Sequence, residues 1–466
     1  MKIFVIGLGQ VGSTVVEALH DEHELTVLDV DQGRLNALSY RFDVATFHGN
    51  GASRRALQEA GIRDVDLLIA CTSRDEVNIV AAMFAKKLSD KTKTIVRTTN
   101  VEYLEVWRER QLDVDFIVSS ELETANAISR IIGVPAARQT DVFADGQVQM
   151  VEFDIAPRDG RGELAGRALS EAAPEAALRR EGTAADTVIG LPLREARIPA
   201  DSKVASIIRA GRMILPRGNE TILPGDRIII IGSPAAAREW SAIVARGVGR
   251  LDDIVIVGAG NTGVAVARLL LEQGLRVRLV ETDGARARDV AEELPKARVF
   301  HSTGMDPDFL ERERIGHAPA AVFAMPDDEK NLYAALLYKQ HGVSFTIAVA
   351  HDQVAADLFE RAGGDRAVNP RLVTAEEIVR WAHDPRTQQV AMLEGDRYEV
   401  LDITVRSESE LVGVPFKDLP MTGSLIGAIV RNGAAIFPHG NDALEPGDRA
   451  IIFTESKRVG IVEKAL

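Results

Sequence analysis

The chain has a single cysteine in 466 residues, Cys71, so no intrachain disulfide staples the fold and a reducing compartment is expected. Long apolar runs are missing as well: Ile228 to Ile231, extended by Gly232, falls far short of the roughly 20 residues a membrane-spanning helix needs. Positive charge is not in excess either. The net charge of −14 argues against broad binding to nucleic acid or anionic lipid through surface charge. The opening residues, Met-Lys and then an apolar strand, lack the charged, apolar and cleavage-site succession of a secretory signal, and a cytoplasmic protein is predicted.

Catalytic and metal signatures are absent too. No GxSxG elbow, phosphate-binding P-loop or His-Glu-x-x-His occurs, and the nine histidines are scattered without metal-ligand spacing.

What the sequence does contain is repetition. Gly7, Gly9 and Gly12 in "VIGLGQVGSTVVEAL" recur as Gly258, Gly260 and Gly263 in "VIVGAGNTGVAVARLL"; "HGNGAS" at 48–53 meets "HSTGMD" at 301–306, and "RDEVN" at 74–78 meets "DDEKN" at 327–331. A second unit repeats as "SIIRAGRMILPRGNETILPGDRIIIIG" at 206–232 and "AIVRNGAAIFPHGNDALEPGDRAIIFT" at 428–454, which aligns Arg209 with Arg431 and Asp226-Arg227 with Asp448-Arg449. The order is A1-B1-A2-B2. This length predicts about three or four domains, placed at 1–132, 141–234, 251–382 and 395–466.

Unit A alternates strand and helix patterns, with apolar strands at 2–6, 24–29, 44–48, 66–70, 93–97 and 115–118, which predicts α/β architecture with a parallel, Rossmann-like sheet covered on both faces. A helix over 120–132, matched at 370–382, leaves the sheet and is a candidate for contact with another subunit. Unit B reads as a small β-rich lobe of short strands between turns. Its first copy carries an insertion near 174–197, where "IGLPLREAR" echoes "LAGRALSEA" at 164–172.

In Gly7-Leu8-Gly9-Gln10-Val11-Gly12 the first glycine permits a tight turn, the second lets a pyrophosphate approach the backbone, and the third lets the helix pack close to the sheet. Asp29, seventeen residues after Gly12, is placed to accept hydrogen bonds from ribose hydroxyls and to repel a 2′-phosphate, which favours NAD or adenosine phosphates over NADP. Asp31 reads as a helix N-cap. Thr72 and Ser73 either reach ribose or phosphate or cap the next helix. Arg97, at the end of its strand, pairs with phosphate in one reading and with a neighbouring acid in the other. His48 and His301 each end a strand and read as structural. The second copy keeps its glycines and has Glu281 in place of Asp29, yet Ala350 and His351 stand where the first has Arg97. Its ligand is bound differently, weakly or not at all.

Nucleotide binding without an acid or base to act on a nicotinamide points to sensing. The alternative is an NAD-dependent oxidoreductase with tandem Rossmann domains.

The order of units, the two fingerprints and the paired "PGDR" motifs resemble the TrkA family, cytosolic regulators of Trk-type potassium uptake built from two tandem RCK units. The resemblance spans essentially the whole chain. It implies NAD(H), with ATP or ADP as further ligands, a homo-oligomeric ring of four chains, and a peripheral place on the cytoplasmic face of the membrane. There the ring would gate a TrkH- or TrkG-like potassium-conducting subunit, with no nucleic-acid partner and no enzymatic activity. It further implies that Asn50 and Gly51 lie near the adenosine and that Thr72 and Arg97 lie on the opposite side of the ligand. For the second half it implies Gly258, Gly260, Asn261, Thr262, Gly263, Glu281 and Gly304.

Overall fold

Valine, isoleucine and leucine fill the predicted strands of each A unit, and a strand apolar on both sides is stable only when both sheet faces are covered. The computed structural model describes the chain apart from residues 22, 136, 156–187, 245–250, 383–386, 394–396 and 420–422. Contacts divide it into two units, residues 1–129 with 249–383 and residues 130–248 with 384–466.

The first unit holds two six-stranded parallel sheets. One runs Ala45–His48, Glu24–Asp29, Lys2–Ile6, Leu67–Ala70, Lys93–Thr98, Phe116–Ser119. The other repeats that order as Arg298–His301, Arg276–Glu281, Asp253–Val257, Ala320–Phe323, Phe345–Val349, Arg366–Val368. Each sheet reverses direction of growth beside its first strand, the switch point at which doubly wound sheets bind ligands. The helix Gln10–Leu19 buries Val11, Val15, Val16 and Leu19 on one face, each worth about 1.5–3 kcal/mol when fully removed from water. Asp31 caps the next helix by accepting from the backbone N–H groups of Gly33 and Arg34 at 2.8 and 3.2 Å, as expected, and Asp283 does the same in the second copy.

The helices Ser120–Gly133 and Pro370–Ala382 form as the sequence predicts. Pro370–Ala382 is engaged inside the chain: it packs on Gln10–Leu19 of the other half. Thr374 Oγ1 donates to Ser120 Oγ at 3.0 Å, Trp381 stacks on Phe116 at 5.4 Å, and Gln273 Nε2 donates to Ser129 Oγ at 2.7 Å. The second of the two helices offered to another subunit thus packs within the chain, on its own first half.

The second unit holds two five-stranded antiparallel sheets of matching order. The first runs Arg212–Ile214, Ser202–Arg209, Arg227–Gly232, Val148–Asp154, Ala137–Phe143. The second runs Ala434–Ile436, Ser424–Arg431, Arg449–Glu455, Tyr398–Thr404, Thr387–Leu393. They share one core, in which Phe143, Met150 and Ile231 meet Val400, Ala428 and Phe453. A Cβ on Gly427 would lie 2.5 Å from Ile231, so glycine is what lets the sheets close. The repeated polar residues of unit B pair with one another. Arg209 grips Asp226 with Nε and Nη2, both at 2.7 Å, and Arg431 grips Asp448 at 2.9 and 2.8 Å. Each aspartate also accepts the backbone N–H three residues before it, so the "PGDR" motif is a turn lock.

Residues 188–197 belong to that repeated lobe. Pro192 bridges to Thr221 as Pro415 bridges to Ala443, which makes "GLP" at 190–192 the counterpart of "GVP" at 413–415. The insertion expected near 174–197 therefore stops short of residue 188, and its remainder lies outside the described residues.

Candidate nucleotide-binding sites

Both glycine loops have the geometry the fingerprint requires. Gly7 and Gly258 take φ of +99° and +103°, a region costly for residues with a Cβ. A Cβ on Gly7 would meet the Thr72 backbone at 2.9 Å, whereas one on Gly9 or on Gly260 would meet nothing within 4 Å. Gly9 is the N-cap of its helix with no side chain covering the first amides. The free N–H groups and the helix dipole face the open side of the loop, where an anion is favoured.

The loop forms one wall of a cavity of about 240 Å³, also lined by Asp29, Asn50, Gly51 and Thr72. Asp29 is nearly buried; its carboxylate accepts the N–H of Leu8 at 2.5 Å and that of Asp31 at 2.7 Å, which ties the glycine loop to the turn after the second strand. Glu281 does the same with Ala259 and Asp283 at 2.8 and 2.9 Å. Burial pushes its pKa up, but these backbone donors outweigh burial and hold it below the usual carboxylate range. Asn50 Oδ1 accepts the N–H of Ala52, and Gly51 is obligatory because a Cβ there would lie 2.4 Å from Ile6. Gly304, its counterpart, takes φ of +73° beneath the Tyr338 hydroxyl.

Thr72 lines the cavity, but its hydroxyl is engaged by Asn78 at 2.7 Å and by the Arg74 carbonyl at 3.2 Å. Arg97 is not among the residues lining that cavity. Its Nε donates to Ser120 Oγ at 2.9 Å and its Nη1 to the Thr72 carbonyl at 3.1 Å, so neutral oxygens hold it where an acid was the alternative. In the second half His351 instead pairs with Asp328 at 2.7 Å. His48 and His301 bond the carbonyls of Val30 and Thr282, each at 3.0 Å, which is the structural role expected. Among the described residues no group of three or more metal-ligating side chains occurs.

Asn78 is the residue that sequence reasoning missed. Fully buried, it accepts from the Thr72 N–H and donates to the carbonyls of Thr72 and Arg97 at 3.1 and 3.0 Å, fastening two strand ends together. Asn331 repeats this with Met325 and Val349. The signal was the Asp-Glu-x-Asn common to "RDEVN" and "DDEKN".

Two Rossmann sheets with open glycine loops, each followed by an antiparallel lobe, define a tandem nucleotide-binding fold of the RCK type. The TrkA-N domain matches residues 3–120 and 254–370, and the TrkA-C domain matches 183–244 and 400–466. The Trk system potassium uptake protein TrkA homolog of Archaeoglobus fulgidus is 31% identical, across 100% of this chain and 99% of its own. TrkA of Haemophilus influenzae is 30% identical across 100% and 98%. The chain belongs to the TrkA family. Among solved structures, the GsuK RCK domain superposes with a TM-score of 0.56 at 16% identity, covering 100% of this chain and 94% of that one. The GsuK channel bound to NAD does so with 0.58 at 16%, covering 100% and 78%. The curated relatives are named as potassium uptake proteins, not as enzymes. No described helix is long and apolar enough to cross a membrane.

Proposed function

We propose that the chain is the peripheral regulatory subunit of a Trk-type potassium uptake system, binding NAD(H) or ATP/ADP and passing its occupancy to a TrkH- or TrkG-like membrane subunit on the cytoplasmic face. The observation that carries the reading is the open side of Gly9: a helix N-terminus free of side chains, beside a cavity bounded by Asp29, Asn50 and Gly51. In it Gly7 to Gly12 hold the pyrophosphate, Asp29 the ribose, and Asn50 and Gly51 the adenosine. Arg97 stands back from the cavity and acts through the Thr72 carbonyl it holds. The glycines 258 to 263, Glu281 and Gly304 form the second, less furnished site.

A ligand that prefers one arrangement of the domains shifts the protein toward it and thereby conveys its presence. The family resemblance and the duplicated fold support assembly into a ring of four chains.

The test is a thermal-shift titration of wild type, Asp29→Ala and Glu281→Ala with NAD, NADH, ATP and ADP. A ligand at about 100 times its dissociation constant stabilises by roughly 2.7 kcal/mol. Wild type is expected to shift, and Asp29→Ala to lose most of the shift. Wild type unmoved by all four would overturn the reading, and loss confined to Glu281→Ala would reverse the two sites. Gating is tested by whether the responding nucleotide alters potassium flux through the co-reconstituted membrane subunit.

A further inference from the structure

The cavity of about 240 Å³ is smaller than the roughly 300 to 1,000 Å³ a whole ligand usually occupies, so much of a nucleotide must extend beyond it. A second cleft of about 520 Å³ adjoins it, and Gly9 and Arg34 line both. This cleft lies in the seam between the two Rossmann halves, with Gln10 and Ser13 contributed by the first and Asn369 and Arg371 by the second.

Three arginines line the seam cleft. Arg34 pairs with Asp31 at 3.4 Å and Arg41 with Glu17 at 3.2 Å. Arg371 has no carboxylate partner among the described residues. Its Nη1 donates to the carbonyl of His351 at 2.7 Å and, across the seam, to Oε1 of Gln10. Gln10 is the first residue of the helix whose amino end faces the glycine loop. A guanidinium held only by neutral oxygens keeps its full charge for an incoming anion, and its planar donors suit phosphate.

Resting on the nucleotide reading above, we propose that Arg371 completes the first site from the second half and sets its preference for ligands carrying a diphosphate or longer anionic chain over the bare nucleoside. The pseudo-symmetric position carries a different residue. The terminal helices align with Thr374 on Thr124, which places Glu121 where the second copy has Arg371. The two halves therefore differ at one structural place, with a guanidinium in the second and a carboxyl in the first.

The test is calorimetric titration of the full chain with adenosine, AMP and ADP, in wild type, Arg371→Ala, Arg371→Gln and Arg371→Lys. Wild type is expected to bind ADP more tightly than adenosine. Arg371→Ala and Arg371→Gln should weaken ADP by about tenfold to a hundredfold and adenosine by less than about twofold, with Arg371→Lys in between. Unchanged ADP affinity in Arg371→Gln, or an equal loss for adenosine and ADP, overturns the proposal. Should the alanine variant not fold, the contrast between glutamine and lysine decides. Wild type that binds no ADP would sink this proposal, and the nucleotide reading falls with it only if NAD, NADH and ATP are silent as well; wild type that binds ADP, with variants unaffected, would sink only the role of Arg371.

Discussion

A Cβ on Gly12 would lie 1.8 Å from the carbonyl oxygen of Gly7, and Gly263 stands in the same relation to Gly258 at 1.9 Å. No rotamer relieves a clash between a Cβ and a backbone atom, so Gly12→Ala is expected to cost at least about 2 kcal/mol. Gly9→Ala has open space and an extended backbone, with an expected cost of about 1 kcal/mol or less. Thermal melts should separate the two: Gly12→Ala lowers Tm strongly, while Gly9→Ala stays folded and loses its nucleotide-induced shift. A Gly9→Ala protein that still shifts fully would show that the ligand does not approach the loop.

Asn78→Ala leaves the Thr72 and Arg97 carbonyls without the buried donor that joins them. The expected loss is about 1–3 kcal/mol, and Asn331→Ala should cost a similar amount. Chemical denaturation of the two variants measures this. A loss near zero at either position would mean that water replaces the amide.

Cys71 sits beneath the first glycine loop, its Sγ directed at the carbonyls of Ile6 and Gly7. Burial pushes its pKa up to about 12, with Arg97 opposing and Asp29 assisting. A thiol so placed has almost no thiolate at neutral pH. A thiol-reactive disulfide reagent at pH 8 should label none of the native chain and one group per chain after unfolding in guanidinium. Rapid native labelling would show that the strand end opens.

Glu121 is the second residue of the helix Ser120–Gly133, and burial raises its pKa to about 7, with its own backbone amide and Arg97 pulling down and Asp75 pushing up. The folded state thus holds the proton more tightly than the unfolded chain, whose value is 4.5. The resulting stability is fully present below about pH 4.5 and is lost as pH rises through about 7. Glu121→Gln carries no such proton, so its Tm should exceed that of wild type at pH 8 and the gap should close toward pH 5. A gap that does not change over that range would rule out a buried carboxyl as its source.

Much of this molecule was legible because the chain states its plan twice. Periodicity placed all six strands of the first sheet within one residue, and the glycine spacing located both loops. Two features escaped. The seam between the Rossmann halves joins residues about 250 apart, such as Ser120 with Thr374, and no local pattern encodes such a pairing. The buried asparagines recur in both copies, but the repeat marks only their position, because their role depends on the ends of two separate strands arriving at one place.

The helices Ser120–Gly133 and Pro370–Ala382 have a consequence for how such a chain can change over generations. In a dimer of identical subunits every substitution appears on both sides of the contact at once. Here the two sides are encoded by separate codons, so a carboxyl at Glu121 and a guanidinium at Arg371 can occupy one structural position. With both partners of the contact in one chain, a substitution on one side need not be mirrored on the other.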